Sequence, residues 1–187
     1  REKLNRSRSS RSQLIESLLA ALSERDVETE EHSRRMASHA LAMGRHLGLS
    51  SDMLNNLELL TRVHDIGKVG IPDAILRKEG PLTESEWQVM RQHPERGYRI
   101  AESSPDLSGV SDLILKHHER WDGSGYMLGL RGVEIPVECR IMAIVDAYDA
   151  MTNDRPYRKA MSVEDAFAEL RRCAGTYFDP DLVPLFL

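Results

Sequence analysis

Apolar residues recur along this chain at three- and four-residue intervals and almost nowhere in strict alternation. Leu14, Ile15, Leu18, Leu19 and Leu22 share one helical face behind a basic start. Met36, Ala40, Met43 and Leu47 make the next stripe, closed by Gly48. Leu54, Leu57 and Leu60 make a third, with Ser51 as its cap, running into His64-Asp65 and ending near Gly67. The stretch from Gly70 to Pro81, with Pro72 and Gly80-Pro81 inside it, reads as a loop. Thr83 with Glu86 is a capping box that opens a helix through Trp87 and Met90, and Pro94 suits the first turn of another. Leu113 to Leu115 lead a helix into His117-His118. A glycine-rich loop then runs from Gly123 to Ile135-Pro136. The strongly apolar run from Cys139 to Met151 is interrupted only by acidic Asp146 and Asp149, and Ser162 with Asp165 caps a last long helix stopped by Gly175. No repeat, low-complexity tract or strand pattern appears, so the expected fold class is all-α.

Composition narrows the partners. A chain of 187 residues suffices for one core plus a short extra segment; we divide it into a basic arm and connector helix at 1–25 and a main unit at 26–187. A formal net charge of -5 argues against broad binding to a nucleic-acid polymer. Arg1, Lys3, Arg6, Arg8 and Arg11 read as a solvated linker. The helix after them is either a coiled-coil connector to an upstream sensor or a piece of the core. The start at Arg1 rather than Met reads as a fragment or processed product. Cys139 and Cys173 lie in apolar, helix-like contexts and read as buried thiols of a reduced, cytoplasmic protein. No apolar run is long enough to span a membrane.

The chemistry lies in histidines and acids. His64-Asp65 offers a neutral nitrogen next to an anionic oxygen, and adjacent helical residues point ~100° apart. Such a pair serves a cluster of two metals more readily than one ion, and the same holds for His117-His118. His93 stands alone. Asp146 sits in an apolar helix where a buried carboxylate is costly unless paired or bound to a cation; a core arginine is the competing partner. Asp149, one turn on, reads as a supporting or surface group. Glu28 and His32, four apart, would share a helical face. His39 and His46 continue that face at ~10 Å and ~21 Å, too far to share one site, and read as exposed or core-edge residues. A donor set rich in imidazole suits Fe, Mn or Zn better than Mg or Ca. Two divalent ions beside few carboxylates, with Lys68 nearby, leave surplus positive charge that favours an anion, phosphate first. That combination is the chemistry of metal-assisted hydrolysis. No Ser/His/Asp triad or HExxH zinc motif is present.

Five motifs carry a family resemblance: HDIGKVGIPDAIL, LTESEW followed by His93-Pro94, HHERWDGSGY, the run ending in VDAYDAMT, and DRPYR. Over residues 26–187 the chain resembles the HD-GYP family, a branch of the HD metal-dependent phosphohydrolase superfamily. The resemblance implies an HD-domain helical bundle with extra C-terminal helices. It implies a bacterial, metal-dependent phosphodiesterase that hydrolyses cyclic di-GMP to pGpG or GMP. It carries metal-ligand roles onto His32, His64, Asp65, His93, His117, His118 and Asp146, with Asp65 bridging two metals. Glu28 falls where some members support a third, so two or three divalent ions are implied, Fe or Mn before Zn. Asp65 and Lys68 are the implied catalytic pair. Lys68, Tyr126, Arg155 and Arg158 are the implied substrate contacts, although the two arginines would otherwise read as surface charges. Implied partners are an upstream sensor or receiver domain, a second copy through the N-terminal helix, and GGDEF-type proteins docking at the 123–127 loop. Two further readings stand beside hydrolysis of cyclic di-GMP: a non-catalytic binding module, and an HD enzyme acting on another nucleotide. A di-iron oxygenase is more remote. One residue departs from the family: Met127 follows Gly125-Tyr126 where the name-giving motif has proline. Proline would fix the backbone there; methionine frees it and restores an N–H. The metal ligands do not depend on it, so chemistry is expected to survive while loop rigidity, substrate preference and docking are affected.

Overall fold

The computed structural model describes residues 16–24, 30–154 and 159–187. Among these the regular structure is helical, with a single isolated bridge between Ala174 and Phe178. The described part of the first helix, α1, covers 16–23. It is followed by α2 (Glu30–His46), α3 (Ser51–Val63), the one-turn α4 (Asp73–Leu76), α5 (Glu84–Met90) and α6 (His93–Glu102). The rest are α7 (Ser111–Lys116), α8 (Val137–Thr152), α9 (Val163–Arg172) and the short α10 (Val183–Phe186). The expected all-α bundle with added C-terminal helices is what the chain forms.

The helix α8 is the axis of the bundle. Its Cys139, Ile141, Met142, Ile144 and Val145 are buried against α2, α3, α7 and α9. Burying each large aliphatic side chain stabilises the fold by about 1.5–3 kcal/mol. The stripe Met36, Ala40 and Met43 on α2 and the pair Leu57 and Leu60 on α3 close onto the same core, as their periodicity requires. Tyr148 of α8 stacks on Phe167 of α9 and meets Phe186 of α10 edge-on at 5.0 Å, which seats the C-terminal helices. His39 meets Tyr148 and Phe186 from an exposed position and His46 is exposed, as expected. Both cysteines are buried and free. Leu22 of α1 is buried and Leu19 packs against the core, so this part of the connector lies on the bundle.

Several local expectations need correction. The cap of α3 is Ser50, whose hydroxyl accepts from the Met53 N–H, so Ser51 is already helical. The helix stops at Val63, with His64 as its cap; Asp65 leaves helical geometry and a 3₁₀ turn, Ile66–Gly70, follows. The expected loop from 70 to 81 contains α4, one turn begun after Pro72. The last long helix is capped by Ser162, as expected, but ends at Arg172, before Gly175, and the one-turn α10 follows it. The Thr83–Glu86 capping box forms as expected, and Pro94 sits in the first turn of α6.

Candidate metal centre and its cavity

Helix ends, rather than helix faces, build the site. His64 caps α3, His93 opens α6, and His117 caps α7. Both α5 and α7 leave carbonyls in their last turn without an intrahelical donor. Met90 O accepts from His93 Nδ1 at 2.8 Å, and Ile114 O accepts from His117 Nδ1 at 2.6 Å. A neutral imidazole that donates from Nδ1 turns a bare lone pair outward on Nε2. The same device therefore aims two nitrogens inward.

They converge on Asp65. One donor atom from each of Asp65, His93, His117 and His118 lies within 4.8 Å of the others. A cation held at about 2.1 Å by each donor keeps donor pairs within about 4.2 Å, so small shifts would close this cluster around an ion. His93 Nε2 is 2.9 Å from Asp65 Oδ1 and 3.1 Å from His118 Nε2, and His117 Nε2 is 3.9 Å from the same carboxylate oxygen. His117 Nε2 is buried with no hydrogen-bond partner among the described residues. A lone pair beside a carboxylate oxygen, and a buried nitrogen without a donor, are costly alone and are satisfied by a cation. The residues fit a metal.

Asp65's other oxygen faces elsewhere. Oδ2 lies 3.2 Å from His64 Nε2 and 2.8 Å from Lys68 Nζ. Beyond His64, across a 6.4 Å ring separation, is His32, whose Nε2 is 3.8 Å from Asp146 Oδ1. His32, His64 and Asp146 thus flank the four-residue cluster without joining it, and Asp65 stands between the two groups.

Electrostatics suit ligation. Burial pushes the Asp65 carboxyl up, but the Lys68 ammonium and the His64 ring more than offset it and hold the group well below the usual carboxylate range. Burial, reinforced by the rings of His118, His64 and His93, pushes His117 far down; burial and His93 bring His118 down to about 3. Both rings are therefore neutral donors at ordinary pH.

Two acids exchange the burial expected of them. Asp146 is not the buried carboxylate: its side chain is 33% exposed, on the side of α8 that faces the cavity. Asp149 is the buried one, and it takes the arginine. Arg35 Nε and Nη2 hold its two oxygens at 2.5 and 2.8 Å, while His32 Nδ1 donates to Oδ2 at 2.6 Å. Burial alone would raise the Asp149 carboxyl, yet Arg35 and His32 hold it at about 2. The carboxylate thereby fixes the ring of His32, with Nε2 toward Asp146.

A cavity of about 750 Å³ opens beside the cluster, lined by His117, His118 and Asp146 at one part and by Tyr126, Arg91 and Arg120 among others. The Tyr126 ring stacks on His118 at 4.9 Å. The loop that carries it is held by Glu119, a buried residue whose carboxylate accepts from the amides of Leu128, Gly129 and Leu130 at 2.7, 3.2 and 3.0 Å. A Cβ on Gly125 would fall 2.7 Å from His118 O and 2.5 Å from Arg120 N, so only glycine lets the loop lie against the histidine pair. Glu28, Arg155 and Arg158 lie outside the described residues. Sequence reasoning missed Glu119, Trp87, Arg91, Arg120, Arg172 and Tyr177. Glu119 and Arg120 follow the two histidines directly inside HHERWDGSGY, and Trp87 ends LTESEW, so these could have been noticed; Arg91, Arg172 and Tyr177 belong to none of the quoted motifs.

Comparison with known proteins follows the same lines. A family described as HD domain matches residues 15–182. The chain is 41% identical over 173 residues to a protein named cyclic di-GMP phosphodiesterase from Thermotoga maritima, an alignment covering 91% of this chain and 47% of that protein. It is 36% identical over 177 residues to the 3'3'-cGAMP-specific phosphodiesterase 2 of Vibrio cholerae, covering 94% and 34%. A crystal structure of a cyclic GMP-AMP specific phosphodiesterase from V. cholerae shares the fold, with a TM-score of 0.69 at 22% identity over 94% of this chain and 47% of that one. The chain spans about half, or less, of the length of the curated relatives it matches.

Proposed function

The chain belongs to the HD domain family, in its HD-GYP branch, and from that premise we propose that it is a metal-dependent phosphodiesterase that hydrolyses cyclic di-GMP to pGpG or GMP. The observation that carries this reading is the position of Asp65, with one oxygen toward His93 and His117 and the other toward His64 and Lys68, behind the His117-His118 pair that lines a 750 Å³ cavity. In this reading Asp65, His93, His117 and His118 would hold one metal ion, and His32, His64 and Asp146, with Asp65 shared between the two, would hold a second. Glu28 would support a third. Bound Fe, Mn or Zn would supply Lewis acidity and a water of lowered pKa.

The chain's own residues do the rest. Nδ1 of His93 and His117 stays on backbone carbonyls, so Nε2 remains a ligand and not a proton donor. Lys68 adds a positive charge beside Asp65 and suits contact with the anionic phosphodiester. Tyr126, Arg155 and Arg158 are the proposed substrate contacts. The cavity lies within the ~300–1,000 Å³ of sites that enclose small molecules. Names of similar proteins include both cyclic di-GMP and 3'3'-cGAMP enzymes, so the cyclic dinucleotide class is better supported than the base. The division at residue 25, an upstream sensor or receiver domain, pairing through the N-terminal helix and docking of GGDEF-type proteins at 123–127 belong to the same proposal.

The test uses protein loaded with Mn or reduced Fe. It should convert cyclic di-GMP to a linear product, and Asp65→Ala should lose both the activity and metal. Glu28→Ala should lower the metal content by about one ion and leave a pair. Metal-loaded protein that binds the dinucleotide and never cleaves it would replace hydrolysis by a binding role. Far faster cleavage of another nucleotide would transfer the chain to a different HD activity.

A further inference from the structure

The cavity has a wall that the metal site does not use. It is built by the end of α9 and the turn after it, through Glu169, Arg172 and Tyr177, together with Arg120 from the loop after the histidine pair. Two features fix this wall. The guanidinium of Arg120 lies over the Tyr177 ring, 3.7 Å from its centroid. The segments bearing them are joined by main-chain bonds from Trp121 N to Tyr177 O and from Asp122 N to Thr176 O, at 3.2 and 2.9 Å. Arg172 holds both oxygens of Glu169, Nε on Oε2 at 2.7 Å and Nη2 on Oε1 at 2.5 Å. As a stabilising device this pair is weak, because the Arg172 side chain is 70% exposed. Its effect is to hold a carboxylate at the cavity wall, with an acceptor site left on Oε2.

An arginine stacked on an aromatic ring keeps its plane and offers its N–H edge. Guanine presents O6 and N7 as paired acceptors, and an exocyclic amine as donor; adenine puts an N6 amine where guanine has O6. A donor fork and a fixed acceptor on one wall therefore match guanine and oppose adenine. His117 and His118 of the cluster line the same cavity as this wall, so a phosphodiester held at the cluster would have its base enclosed by that cavity.

We propose that Arg120 and Glu169 form a guanine-selecting wall, each positioned by its neighbour, Tyr177 or Arg172. This rests on the phosphodiesterase reading and names what within the substrate sets the choice of base. The experiment compares kcat/KM of the metal-loaded protein on cyclic di-GMP and cyclic di-AMP, alongside equilibrium binding of their nonhydrolysable phosphorothioate analogues. Wild type should prefer the guanine compound. Arg120→Met and Glu169→Gln should each cut that preference about tenfold, with metal content unchanged. Glu164→Gln, on an exposed position of the same helix, should leave it intact. Equal losses on both compounds, or an unaltered preference, would overturn the proposal. If turnover fails but the analogues bind with a guanine preference that the variants lose, the wall stands and hydrolysis falls. Binding of neither analogue overturns both.

Discussion

Replacing Gly67 by alanine tests whether the close packing of the 66–70 turn on α6 sets the spacing of Asp65 and His93. Gly67 is buried and has no positive φ, so alanine brings no conformational penalty of its own. The difficulty is steric. The new Cβ would lie 1.9 Å from the His93 carbonyl oxygen and 2.5 Å from Gly97 N. Both are main-chain atoms, so no rotamer change relieves the clash. The 66–70 turn must move off α6 by about 1 Å, which pulls Asp65 away from His93. Overpacking costs about 1–3 kcal/mol, and main-chain contacts put this site at the upper end. Alanine recovers about 0.4–1 kcal/mol by restricting the unfolded chain. The net loss is about 2–3 kcal/mol, and a chain of this size loses about 2–4 °C in Tm per kcal/mol. We expect Tm to fall by about 4–12 °C, with weakened metal retention during dialysis against a chelator. Gly109→Ala is the control: that glycine is exposed and its nearest neighbour is Asn56 Oδ1 at 3.8 Å. It should change neither quantity. Scanning calorimetry and metal analysis read both. A Gly67→Ala protein with wild-type Tm and a full metal complement would refute the claim that this contact sets the spacing of Asp65 and His93.

Asp149→Asn should weaken metal binding about 10–100-fold, the usual effect of removing the partner that orients a ligating histidine. Competition with a chelator measures it, and unchanged affinity would mean that His32 needs no such support. Glu119→Ala removes an acceptor shared by three amides, each bond to a charged group contributing about 1.5–3 kcal/mol. Backbone hydrogen exchange at 128–130 should rise sharply, and the variant should lose several degrees in Tm; wild-type protection there would show that the loop is held by something else.

The residue types of the candidate metal cluster were legible because histidines are few and those of the cluster sit beside helix signals. Their grouping was less so. The expectation that adjacent histidines on a helix point ~100° apart fails because α7 ends at Lys116: His117 and His118 leave the helix, and both reach the same cluster. His64 and Asp65 part in the same way, at the end of α3. The exchange between Asp146 and Asp149 could not be read locally. Both acids interrupt one apolar helix, and which is buried is decided by Arg35 and His32, more than a hundred residues earlier in the chain. The turn at Asp73–Leu76 was hidden among Pro and Gly signals that mark loops and short helices alike. The cavity wall of Glu169, Arg172 and Tyr177 follows from how α9 docks on α8, which no spacing along the chain encodes.

Glu119 anchors the loop from behind, on amides that follow position 127, so the turn is gripped at its base and its tip is left open to change. The path of the chain past Met127 is thereby imposed by a carboxylate acting on its neighbours' amides, not by the ring of a proline at that position.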